Sequence, residues 1–131
     1  CPGVRRLLRR LNTEGVITGL VTGNLTQIGW KKLERAGLKE FFRFGAFAEQ
    51  AKDRTGLVRI ALKEARRSKW VGRSSRISLI GDHPNDVQAA RANRVRAIAV
   101  ATGPATFEEL SRQGAEIVLR DLRGLDLEML L

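Results

Sequence analysis

Short β-branched apolar runs alternate along this chain with stretches whose apolar residues recur every three or four positions, a pattern that predicts parallel βαβ units and a doubly wound α/β sheet. Val4, Leu7, Leu8 and Leu11 form a helical stripe among Arg5, Arg6, Arg9 and Arg10. The run 16–21 predicts a strand ending at Thr22-Gly23-Asn24. A helix over 25–36 follows, with Leu25, Ile28 and Leu33 apolar among charged neighbours and Gly37 as its stop. A short strand is expected within 41–47, and a helix over 55–67 with Leu57, Ile60, Ala61 and Leu62 on one side. The run 77–80 predicts a buried strand that stops at Gly81-Asp82. Pro84-Asn85-Asp86 then opens a helix to about Asn93, because Pro suits a first turn and Asn and Asp satisfy its free N–H groups. Residues 96–100 predict a strand, Thr106-Phe107-Glu108-Glu109 has the capping-box pattern of a helix running to Gln113, and 117–119 predict a last strand. No repeat, linker or low-complexity segment interrupts the series.

Composition narrows the class. With 43% hydrophobic and 29% charged residues, the 131-residue chain has the make-up of a soluble one-domain protein. No run approaches the roughly 20 apolar residues of a membrane span, and Cys1 to Arg6 lack the order of a signal peptide, so no membrane partner and a cytoplasmic location are expected. A single cysteine, Cys1, excludes an internal disulfide and a cysteine metal cage. Because Cys1-Pro2-Gly3 leads straight into a helical stripe, the chain is expected to be a fragment that begins inside a fold.

The formal charge of +10 would favour a polyanion. Aromatic residues make up only 5%, however, and among the basic positions from Arg59 to Arg76 only Trp70 could stack on a base. These positions therefore read first as solvated helix faces, and a nucleic-acid partner is not expected. A basic nucleic-acid-binding module remains the competing reading.

In open α/β sheets ligands bind at the carboxyl ends of strands. Thr22 offers a hydroxyl there, and Gly23-Asn24 offer backbone N–H groups beside a helix start, which suits a phosphate. Taken alone, Thr-Gly-Asn also fits an ordinary turn. Gly81-Asp82-His83-Pro84-Asn85-Asp86 is the sharper signal. It sets Asp82 at a strand tip and Asp86 in the first helical turn, an oxygen set suited to Mg²⁺. Asp86 could equally be a helix cap. His83 reads as a loop spectator, and Trp30 and Trp70 as packing residues.

Leu20-Val21-Thr22-Gly23-Asn24, Ile80-Gly81-Asp82-His83-Pro84-Asn85-Asp86 and Ala99-Val100-Ala101-Thr102-Gly103 together resemble the second and fourth motifs of the haloacid dehalogenase superfamily, on the side of phosphoglycolate-phosphatase-like members. The similarity runs from Pro2-Gly3 to Ala115. It implies a Rossmann-like (HAD-like) parallel sheet with flanking helices, and a Mg²⁺-dependent phosphatase that hydrolyses a small phosphomonoester through a phospho-aspartyl intermediate. Thr22 would hold the phosphoryl group and Asp82 the Mg²⁺, with Asp86 a supporting ligand or the partner of a lysine. An ungapped match of residues 52–62 to the family's Lys-Pro-x-Pro pattern makes Lys52 that lysine. The prolines are absent, which leaves Arg54 as the alternative.

The family's first motif, Asp-x-Asp, supplies the nucleophile and has no match here: the aspartates outside the fourth motif are Asp53, Asp121 and Asp126. The resemblance thus implies the C-terminal part of a single core domain, residues 1–131, inactive alone. First strand, cap domain and nucleophile would come from an N-terminal segment of the same protein, and the substrate would be a small phosphorylated molecule. A degenerate, non-catalytic interaction domain of the same fold is the third reading.

Overall fold

A computed structural model describes residues 3–130. Its elements run in chain order as helix α1 (Val4–Thr13), strand β1 (Gly19–Val21), helix α2 (Thr26–Arg35), strand β2 (Phe44–Ala46), helix α3 (Arg54–Arg67), strand β3 (Ser78–Gly81), helix α4 (Pro84–Ala92), strand β4 (Arg96–Val100), helix α5 (Phe107–Arg112) and strand β5 (Ile117–Leu119), with four short 3₁₀ turns between and after them. Every strand and helix expected from the periodicity is present. The strand expected over 16–21 begins only at Gly19, because the Val16 N–H turns back to the Leu11 carbonyl (2.9 Å) behind Gly15, whose φ of +73° closes α1 in the left-handed conformation that glycine tolerates.

The chain divides into two compact units, residues 8–75 and residues 1–7 with 76–131. The fold is of the expected α/β class, parallel strands flanked by helices; the strands form two parallel ladders, β1-β2 and β3-β4-β5, with no hydrogen-bonded pairing between the ladders among the described residues, as suits a sheet that is incomplete.

In the unit 8–75, Leu20 of β1 faces Gly45 of β2 in register, and α3 packs on both strands. Its core is Ala46, Leu57 and Ala61, flanked by Val21, Phe44, Ala51 and Ile60. Phe44 stacks on Trp70, with ring centroids 5.2 Å apart at 24°. In the other unit, β4 is central and almost wholly buried from Ala97 to Val100, with Ile98 aligned to Ile80 on one side and Ile117 on the other. Such a strand must be apolar along its length, as Ala-Ile-Ala-Val is. Val87, Ala90 and Leu110 from α4 and α5 close over Ala97 and Ala99.

Candidate functional site

In the unit 8–75, the sheet ends as a loop built around one hydroxyl. The Thr22 N–H makes a last ladder-like bond to the Ala46 carbonyl (3.1 Å), and the chain then turns. Thr22 Oγ1 accepts two hydrogen bonds, from the Asn24 backbone N–H (3.1 Å) and from Asn24 Nδ2 (3.0 Å). Lys32 Nζ donates to Asn24 Oδ1 (3.1 Å), which fixes the amide with its NH₂ toward Thr22. A threonine oxygen has two lone pairs and one proton, so with both lone pairs engaged the hydroxyl has its donor left for an acceptor outside the loop. Gly29 is buried behind it. A Cβ there would lie 2.8 Å from the Phe47 ring and 3.5 Å from Thr22 Cγ2, so the missing side chain lets α2 approach the loop.

Two expectations change at this point. The Asn24 N–H is spent on Thr22, so Asn24 orients the hydroxyl instead of offering its own amide, while Gly23 stays exposed with open space above its Cα. The start of α2 is also taken: both Glu49 carboxylate oxygens accept from the Thr26 N–H (3.1 Å each), and Glu49 accepts from the Thr26 hydroxyl as well.

Arg54 opens α3 and donates from Nη1 to the Val21 carbonyl (3.2 Å), one residue before Thr22. Asp53 caps the same helix by accepting from the Gly56 N–H (2.8 Å). Lys52, just before this cap, is exposed. The structure therefore brings Arg54 to the tip of β1 and leaves Lys52 in solvent.

In the unit containing residues 76–131, Asp82 is exposed directly after β3. A Cβ built on Gly103, in the turn after β4, would meet Asp82 Oδ2 at 2.7 Å and its carboxyl carbon at 2.8 Å. The carboxylate thus lies across the tip of the neighbouring strand, over a spot only glycine leaves open. Asp86 behaves differently. It is 8% exposed, the one buried charged residue among those described, and its Oδ2 accepts from the His83 N–H (3.2 Å) while its side chain rests on Gly81.

His83 has a structural place: its Nδ1 accepts from the Asn85 N–H (3.0 Å), so His83 and Asp86 together cap α4. An acid at the third helical position was a legible cap signal, but histidine is not among the residues usually read as N-caps. Among the described residues no three His, Cys, Asp or Glu side chains gather as a metal cage. Mg²⁺ does not need one, since it takes one or two carboxylates and completes its shell with waters and phosphate. An exposed Asp82 held beside a glycine cradle fits that donor set, whereas Asp86 fits a supporting place behind it.

Farther along the same unit, Arg123 donates to both Asp121 carboxylate oxygens and holds that carboxyl below its ordinary pKa. This pair lies after β5 and belongs to neither loop.

The family model for haloacid dehalogenase-like hydrolases matches residues 1–100. Phosphoglycolate phosphatases of Pseudomonas syringae pv. syringae and Pseudomonas putida are each 29% identical to the chain, over 127 and 128 residues, covering 95% of it. The chain spans about 45% of the length of these curated relatives. A solved haloacid dehalogenase-like family hydrolase from Streptococcus pneumoniae superposes with a TM-score of 0.81 at 18% identity, over 99% of this chain and 58% of that one.

Proposed function

Because the chain belongs to the haloacid dehalogenase-like hydrolase family, we propose that it carries the phosphate-holding and metal-holding residues of a phosphatase acting on a small phosphomonoester. The observation that carries this reading is the Thr22 hydroxyl, whose lone pairs are filled by Asn24 and whose proton is thereby left for a phosphoryl oxygen. In this reading Thr22 and the Gly23 N–H hold that oxygen. Arg54 keeps the tip of β1 in place through the Val21 carbonyl, and Lys52 reaches in from solvent as a point charge that balances the transferring group. Asp82 holds Mg²⁺, with Asp86 behind it keeping the loop in shape through the His83 N–H. Held by Asp82, the ion would supply positive charge, and charge neutralisation together with positioning is most of what phosphoryl transfer asks of a protein.

The covalent step, attack of an aspartate on phosphorus to give a phospho-aspartyl intermediate, is assigned to residues outside these 131. No Asp-x-Asp occurs in the chain, and residues 1–131 are proposed as the C-terminal part of one core domain completed by an upstream segment of the same protein.

The test is phosphate release from small phosphomonoesters by the protein extended through its upstream residues, with and without Mg²⁺. Mg²⁺-dependent turnover that Asp82→Asn abolishes is the expected result. Turnover indifferent to both, or none from a folded protein, would overturn the reading.

A further inference from the structure

The basic excess of this chain is not spread evenly. Residues 8–75 hold fifteen Lys and Arg against six Asp and Glu, whereas the rest of the chain holds nine against eight. Within the basic unit the densest surface is the outer face of α3. Leu57, Val58, Ala61, Leu62 and Ala65 are buried, and Arg59, Lys63 and Arg66 recur at i, i+4 and i+7 on the opposite, exposed side. Along the axis they stand about 6 Å and then about 4.5 Å apart. The one acid in this stretch of the helix, Glu64, pairs with Arg67 and also accepts from Ser68. None of the three stripe residues meets a carboxylate among the described residues.

Like charges at i, i+3 and i, i+4 destabilise a helix, so the row works against the helix that carries it. The helix dipole accounts for Arg66 and Arg67 in the last turn but not for Arg59 and Lys63, which lie in the middle. Beyond the helix end, Lys69 and Arg73 are exposed as well.

We propose that this face of α3 is a docking surface for duplex nucleic acid, bound through its phosphates without regard to sequence. A duplex carries about one charge per 1.7 Å of its axis and relieves just this kind of repulsion. Two observations choose the partner. Trp70, the one aromatic residue in the basic stretch, has its ring stacked on Phe44, so no stacking platform is offered to single-stranded bases. The apolar residues of α3 are all turned inward, so the face has nothing to insert between lipids, as an interfacial helix would. The face read from sequence as solvated is exposed, and its three basic residues are aligned and, among the described residues, unpaired.

The proposal is tested by fluorescence anisotropy of a labelled 20-base-pair DNA duplex titrated with the 131-residue chain between 50 and 200 mM salt. Five contacted phosphates give a slope of log affinity on log salt of about −4.5, an affinity loss on the order of 10²- to 10³-fold across that range. In Arg59→Gln/Lys63→Gln/Arg66→Gln the slope should flatten to about −2, with affinity at 50 mM falling at least tenfold. Glutamine is a good helix former, so the triple variant should keep its helical circular dichroism and melt no lower than the parent. Arg6→Gln/Arg112→Gln/Arg120→Gln makes the same charge change elsewhere and should retain most of the binding. Equal losses in the two triple variants would show a net-charge effect and overturn the proposal, as would absence of duplex binding at 50 mM salt. Binding only to phosphatidylserine-containing vesicles would overturn it in favour of a membrane. None of these outcomes bears on phosphate release, because no stripe residue belongs to the Thr22 or Asp82 loop.

Discussion

The loops after β1 and after β3 both end a parallel strand and both lead into a helix, yet they are held in opposite ways. After β1, a hydroxyl is oriented by an amide that is itself oriented by a lysine, and the first helical N–H is given to Glu49 from a later turn. After β3, the polar groups close on themselves: His83 and Asp86 satisfy the start of α4, and the exposed Asp82 carboxylate takes no part in that cap. The first arrangement leaves a donor and the second leaves an anion. That difference suits one loop to phosphoryl oxygens and the other to a cation, and it arises from which residue of each loop spends itself on the helix start.

Substitutions should separate the two loops, beginning where packing is tightest. Gly81→Ala pushes a methyl into the buried Asp86 side chain, and should lower stability by about 2–4 kcal/mol in urea unfolding, with loss of the α4 cap. Leu110→Ala, fully buried on α5, should cost about 2–5 kcal/mol; Leu57→Ala in the other unit should cost a comparable amount. If the units unfold independently, each leucine variant will shift only one of two transitions, and a single shared transition would show that they are coupled. Thr22→Val keeps the shape but removes the acceptor of both Asn24 bonds and the outward donor. It should weaken inorganic phosphate binding by about tenfold or more while changing stability by about 1 kcal/mol.

The smallest effect expected is one of pH. The Asp121 carboxyl is held below its ordinary value by hydrogen bonds from Arg123, so the pair stabilises the fold above the unfolded-state pKa and loses that contribution as pH falls through the lower folded value. Both groups lie at the surface, so Arg123→Gln should lower the melting temperature only slightly at neutral pH, and the gap should vanish in acid.

Most of the fold was legible because the apolar spacing of each element matches the face it buries: Leu57, Ala61 and Leu62 on α3, and the unbroken run of β4. Less was legible where one group decides between two partners. Val16, a good strand residue, loses its N–H to the end of α1, and the N–H of Asn24 goes to a neighbouring hydroxyl. Glu49 reaches the start of α2 from 23 residues away, a contact that no local pattern encodes. The strand-tip positions of Thr22 and Asp82 were legible because a short apolar strand leading into a helix is the repeating unit of an α/β sheet. Which of Lys52 and Arg54 touches the tip of β1 was not, since one precedes and the other opens the same helix and only the bond from Arg54 to the Val21 carbonyl tells them apart.

The most direct test of this division is residue-resolved NMR of the chain, titrated separately with Mg²⁺ and with inorganic phosphate. Mg²⁺ should move the amides around Asp82, Asp86 and Gly103, phosphate should move those of Thr22, Gly23 and Asn24, and Asp82→Asn should silence only the first set. Mg²⁺ shifts that persist in Asp82→Asn, or phosphate shifts that bypass the Thr22 loop, would contradict that division.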